Sequence, residues 1–342
     1  MNNFKKAGLT ALCGTLASFS VANAGAIDVT GSVTATYSST GGSDDATDGN
    51  PLGLSHAFSV AGSGELDNGN AWTYGVAYDA DFAGISSSSV AMTVDGMGTF
   101  KLGFDSGDSM GAMDDIVPTV WEEADGNGVS SGGDKTGGMS GGMLSYASEA
   151  DMLPMGATFN ISYTPREGGG DTTQNKAVSG SGTANKGSAY GITLRGISPV
   201  DGLTLDLGYF EMESTSSAVY TGNNTEMNGA ITYAAGPVTF GYQKSLEDPE
   251  LVAASTTDYY ENEGYGITFA VNDNLSIGFV HWGSTKEFGN TTSAVEMEAD
   301  SYQATYNMGG ATIKFAHAEA DNVQYTTSTK DEHTVLAIGL AF

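Results

Sequence analysis

Eight carboxylates crowd one stretch of this chain: Asp105, Asp108, Asp114, Asp115, Glu122, Glu123, Asp125 and Asp134, with Lys135 the one cation among them. Carboxylates at that density act through their field, attracting cations and repelling anions. The effect survives screening best where an aqueous passage is narrower than the Debye length, roughly 8 Å in physiological salt. Bond-making chemistry finds far less support. The histidines His56, His281, His317 and His333 are scattered, and no His-Glu-x-x-His zinc spacing, Gly-x-Ser-x-Gly elbow or phosphate loop occurs. No enzyme activity is expected; Ser and His assembled from distant strands are the one catalytic arrangement a sequence leaves open. Acidic loop segments with Asn and backbone carbonyls, Ser43–Asn50 for example, are of the type that holds Ca²⁺, although no EF-hand spacing is present. No other cofactor is expected.

The elements that must carry these acids are strands. Trp72, Tyr74, Val76, Tyr78, Ala80 and Phe82 alternate with small or polar residues, which places one apolar row on one face of a strand. Similar rows are Phe100-Leu102-Phe104, Leu203-Leu205-Leu207-Tyr209, Val238-Phe240-Tyr242 and Leu275-Ile277-Phe279. The chain stops on Leu336, Ile338, Leu340 and Phe342, a bare apolar strand face of the kind that normally frays unless tied down. About sixteen such strands are expected. Short turns such as Asp67-Asn68-Gly69, Asp95–Gly98 and Gly236-Pro237 alternate with long connections rich in Gly, Ser, Thr and acids, the longest near 105–142. Apolar faces capped by aromatics, and short turns against long loops, are the layout of an antiparallel barrel in a bilayer. A soluble β-sandwich would also alternate, but it gains nothing from a terminal aromatic strand or unequal loops.

The first residues read as a secretory signal. Lys5 and Lys6 precede a mostly apolar stretch, Ala7 to Val21, and Ala22-Asn23-Ala24 fits small-x-small cleavage, so residues 1–24 are assigned as leader and 25–342 as the barrel. Cys13 falls in the leader, which leaves the remainder without a disulfide framework. The 49 glycines argue against a helical protein. Setting aside the two leader lysines leaves 10 basic against 41 acidic residues, a formal charge near −31. Nucleic acid is an unsuitable partner for such a surface.

If the aromatic rows face lipid, then Lys101, Arg195 and Lys314 point into the lumen, as do Asp28, Asp79, Asp81 and Asp206, with Arg166 at a loop mouth. Ile116, Val117, Pro118, Val120 and Trp121 form an apolar patch able to pin the acidic connection against the inner wall. Met92, Met97, Met110, Met113, Met139 and Met143 are read as packing for wall and loop rather than as metal ligands.

The first strand Ala26–Tyr37, the segment Thr99–Asp105 before the long third loop and the Phe342 terminus together resemble the sixteen-stranded general porins of Gram-negative bacteria, closest in style to the α-proteobacterial ones. The resemblance spans the whole chain after the leader. It implies a homotrimer in the cell outer membrane, inserted by the barrel-assembly machinery and passing small hydrophilic solutes. It also implies a third loop folded into the lumen, its acids facing a basic cluster on the wall. Here the basic side is thin: after the leader only Arg166 and Arg195 are arginines, so Lys101, Arg195 and Lys314 are the candidates, and a cation-selective pore is expected. The alternatives are a substrate-specific channel whose third loop binds a cationic or sugar-like solute, and a structural or adhesin barrel with a closed lumen.

Overall fold

A computed structural model describes residues 26–42, 50–78, 84–104, 109–114, 116–121, 139, 142–150, 152–167, 186–215, 220–250, 257–290 and 292–342. The leader, residues 43–49, Asp79, Asp81 and Phe82 lie outside the described residues. So do Asp105, Asp108, Asp115, Glu122, Glu123, Asp125 and Asp134.

Sixteen strands follow in chain order: β1 (Ala26–Gly42), β2 (Leu52–Glu65), β3 (Ala71–Tyr78), β4 (Ile85–Val94), β5 (Gly98–Phe104), β6 (Gly142–Ala147), β7 (Thr158–Thr164), β8 (Lys186–Ile197), β9 (Leu203–Ser214), β10 (Asn224–Ala235), β11 (Val238–Asp248), β12 (Thr257–Ala270), β13 (Leu275–Phe288), β14 (Val295–Asn307), β15 (Ala311–Asp321) and β16 (Lys330–Ala341). Each pairs antiparallel with its sequence neighbours, and β16 pairs with β1 to close the barrel. Closure removes every sheet edge, the one way a sheet can satisfy its backbone inside hydrocarbon. No described helix is long and apolar enough to cross a membrane.

Alternation sets the register. Ile267 pairs with Phe279 and Phe279 with Tyr302, so one outward row runs across β12, β13 and β14. The Phe279 and Tyr302 rings lie 5.1 Å apart, as do those of Phe100 and Tyr146 further round the wall. A one-residue slip would turn each row inward, which is why the register is strongly specified. Tight turns close one end: Gly96 and Gly236 take φ of +69° and +60°, a region that costs a side-chain-bearing residue energy. At the β12–β13 turn the Asn272 side chain accepts from the backbone N–H groups of Asn274 and Leu275.

Closure joins the first strand to the last with a stagger. The β1–β16 pairs run from Ser32 with Ala341 to Gly42 with Asp331, and Gly31 and Phe342 exchange backbone hydrogen bonds of 2.8 and 2.9 Å. Ala26 to Thr30 extend past the chain end and pair only with β2. Barrel closure demands such a stagger between neighbouring strands. The wall is also uneven in height. β5, β6 and β7 have 7, 6 and 7 residues, whereas β12 and β13 have 14 each.

Candidate functional site

The inner face has two unlike halves. On β1 to β4 the inward side chains are small and mostly hydroxylic: Thr30, Ser32, Thr34, Ser55, Ser59, Thr73 and Ser89. They are half-buried or exposed. A Cβ placed on the inward Gly75 of β3 would meet no atom within 4 Å, so this side borders open space. On β9 to β15 most inward side chains are buried, and residues 109–114 and 116–121 lie against part of that face.

That segment is seated by fit and by hydrogen bonds. It begins with a 3-10 turn, Ser109–Met113, whose Met110 and Met113 pack with Met139, Met143, Met212, Phe210 and Ala189. Unbranched thioethers fill such irregular joints well. Met92 and Met97, also read as packing, are instead exposed on the outer wall and its turn. Val117, 2% exposed, enters a cluster with Val280, Trp282, Met297 and Ala299 of β13 and β14. Glycines make the seat: a Cβ on Gly241 or Gly266 would collide with Pro118, and one on Gly278 would just touch Val120. The Val120 N–H donates to Gln303 Oε1 at 3.1 Å, and its carbonyl accepts from the Thr305 hydroxyl at 3.2 Å. Upstream, Gln243 donates its Nε2–H to the Met113 carbonyl at 2.7 Å.

The candidate cations are placed as follows. Lys314 faces inward on β15 with its ammonium 5.5 Å from the Trp121 ring centroid, so it clamps the end of the seated segment. Arg195 Nε lies 3.4 Å from Asp206 Oδ1, and the Gly196 N–H donates to the same oxygen at 2.9 Å. Lys101 faces inward on β5, eight strands from β13 in the sixteen-strand ring and therefore on the opposite wall. Arg166 is exposed just beyond β7. Of the eight loop acids only Asp114 is described, half-buried at the end of the 3-10 turn. The structure thus brings together Lys314 with Trp121 and Arg195 with Asp206, and sets Lys101 apart from both.

Several lumen residues lie outside these expectations. Lys286 is inward on β13 among the rings of Tyr260, Phe288 and Tyr325, at 5.4 to 5.7 Å. Glu226 and Glu247 face each other on the inner side of β10 and β11. Their signal was available in the sequence, as polar alternates of Met227 and Leu246. On the outer face, above the aromatic row of β12 to β15, sit Glu263, Asp300, Glu319 and Glu332. There His281 Nδ1 meets Asp300 Oδ1 at 2.8 Å. The exposed or half-buried trio His317, Glu319 and Glu332 brings ligand atoms within 4.8 Å of one another, the spacing a metal ion needs.

No family model matches the sequence, and no curated relative does either. Solved structures do share the fold. OmpF of Salmonella typhi, in complex with daunomycin, aligns over 92% of this chain and 97% of its own with a TM-score of 0.64 and 13% identity. OmpT of Vibrio cholerae, an outer-membrane protein, aligns over 95% and 100% with a TM-score of 0.63 and 12% identity. A refined porin structure aligns over 93% and 100% with a TM-score of 0.64 and 14% identity. The likeness is to the porin barrel in general, and it does not single out the α-proteobacterial style.

Proposed function

We propose that the protein is an outer-membrane porin, a water-filled barrel that passes small hydrophilic solutes and ions passively and favours cations. One observation carries this reading: among the described residues the seated segment lies against the β6–β15 side of the lumen, and the hydroxyl-lined inner face of β1 to β4 borders open space at Gly75. Serine and threonine hydroxyls keep such a passage wet without binding any one solute strongly. The charge balance supports cation preference. The Asp206 carboxylate offsets the charge of Arg195, which leaves Lys101, Lys286 and Lys314 as inward cations on the described strands. Asp28, Glu65, Glu226 and Glu247 face inward, and the third connection adds its eight acids.

A homotrimer follows from the resemblance and is supported by the low wall of β5 to β7. At about 3.3 Å per residue along a tilted strand, seven residues fall short of the roughly 25 Å apolar band of outer-membrane barrels. A neighbouring copy would cover the exposed Phe100, Leu102, Leu144 and Tyr163 there. Leader cleavage near Ala24 and delivery by the barrel-assembly machinery belong to the same proposal.

The test is the reversal potential of purified protein in a planar bilayer under a KCl gradient. The expected sign is that of K⁺ preference over Cl⁻, with flux that rises linearly with solute concentration. Anion preference, or a barrel that carries no current, overturns the proposal.

A further inference from the structure

The inner face of β12 to β14 carries two connections, one above the other, and the strand register fixes their order. Gly266 stands level with Val280 and Ser301, Gly264 with Trp282 and Ala299, Asn262 with Ser284 and Met297, and Tyr260 with Lys286. The seated segment takes the Gly266 rung, where Val117 and Pro118 lie, and continues toward the turns with Val120 at Gly278. The rungs of Ser284 and Lys286 are taken by the β15–β16 connection. There the Tyr325 hydroxyl lies 2.7 Å from Ser284 Oγ. Ser284 donates its one proton to Asn262 Oδ1 at 2.6 Å, so Tyr325 is the donor in the other bond. The Tyr325 ring is 5.5 Å from the Tyr260 ring and 5.5 Å from the Lys286 ammonium. Reaching β12 from the end of β15 means crossing β14 and β13, about 14 Å at roughly 4.8 Å per strand. The connection therefore leans across the inner wall instead of standing out from the rim.

We propose that this connection is a second lumenal element of the pore, and that Val323 and Tyr325 are positioning residues for the seated segment 116–121. Val323 is 1% exposed and belongs to the same apolar cluster as Val117, and Tyr325 packs against that cluster. Trp282 holds the rung between Val117 and Tyr325, its ring lying over Gly264. Taking Val323 away opens the cluster to lumenal water from the loop side, and Val117 then loses part of what holds it in place. The connection is itself set firmly enough to do this. Asn322 donates its Nδ2–H to the Glu296 carbonyl of β14 at 2.8 Å. Asn322, Gln324, Tyr325 and Ser328 take φ of +54°, +53°, +57° and +69°, a left-handed region that side-chain-bearing residues keep only where their surroundings enforce it. The Lys286 ammonium, among the rings of Tyr260, Phe288 and Tyr325, adds a cation–π hold on the inward pose.

The inference rests on the porin reading for its consequence, because a narrowing matters only where solute passes, but its first readout needs no current. Refolded full-length variants are compared by limited proteolysis, with cuts within 116–121 and within 322–329 identified separately by mass, and then by single-channel conductance. Val323→Ala and Tyr325→Ala should each speed cleavage within 116–121 about tenfold and make the conductance unsteady. Tyr325→Phe, which keeps the ring, should do so less. Thr327→Ala, at an exposed position of the same connection, should change neither. Val117→Ala joined to Val323→Ala should fall short of the product of the two single effects, since both act on one cluster. Retained heat-modifiable gel mobility identifies the folded variants, and Val323→Ala carries the comparison if Tyr325→Ala fails to fold. Parent-rate cleavage within 116–121 while 322–329 becomes cleavable overturns the inference, because the connection has then come away and left the segment seated. Independent effects of Val117→Ala and Val323→Ala overturn it too. Faster cleavage within 116–121 in a barrel that carries no current supports this inference and sinks the porin proposal alone. A conducting barrel whose segment stays protected in both variants sinks this inference alone.

Discussion

Exchanging Gly266 for leucine tests whether the fit between wall and segment governs the pore. A Cβ at that position would stand 2.6 Å from the Pro118 carbonyl oxygen and 2.7 Å from Val117 Cγ1, distances that real side chains do not adopt. The segment has little room to yield. Pro118 already covers Gly241, and Val120 is held from both sides by Gln303 and Thr305. Overpacking of this kind costs about 1–3 kcal/mol, which shifts the balance between seated and unseated segment by roughly 5- to 150-fold. Strand pairing is untouched, because β12 keeps its backbone bonds to β11 and β13. The assays are single-channel conductance in planar bilayers and limited proteolysis of the folded barrel. Gly266→Leu should give flickering, altered conductance and new cleavage within residues 109–121. Gly75→Leu is the control, since a Cβ there meets no atom within 4 Å. It should lower conductance modestly and leave proteolysis unchanged. A Gly266→Leu channel identical to the parent in both assays would refute the reasoning, as would equal loosening by Gly75→Leu.

Arg195→Ala leaves the carboxylate of Asp206, a residue 5% exposed, with only the Gly196 amide, and should lower stability by about 1–3 kcal/mol in denaturant unfolding from detergent micelles. The loss stays below that for a fully buried pair because the arginine side chain is about one-third exposed. Adding Asp206→Asn should recover most of it, and a lack of recovery would show that the pair is not the cause. Deleting Phe342 removes both backbone bonds to Gly31, together worth about 1–3 kcal/mol at the closing seam. The expected result is a smaller folded fraction on a heat-modifiable gel, and an undiminished refolding yield would contradict it.

Much of the fold was legible because lipid-facing strands write their periodicity locally. Leu336 to Phe342 could be read as a closing strand from alternation alone, and so could its counterpart near Ala26. The stagger between them could not, since it depends on the tilt of the whole ring: Gly42, not Tyr37, ends the pairing. The apolar patch Ile116–Trp121 was visible as a pin, but its socket was not. The socket is made of single glycines on β11, β12 and β13 that carry no signal until a backbone from elsewhere lies over them.

Alternation, turn residues and the excess of acids over bases therefore determined by themselves that the chain alternates faces, how many strands it has and which sign of charge dominates. Tertiary structure alone decided which charges meet. It set Lys314 on Trp121, Arg195 on Asp206 and Glu226 against Glu247. The physical reason is range. A strand's two faces are fixed by each residue and its neighbours, whereas the lumen joins Val120 to Gln303 and Thr305, 183 and 185 positions away.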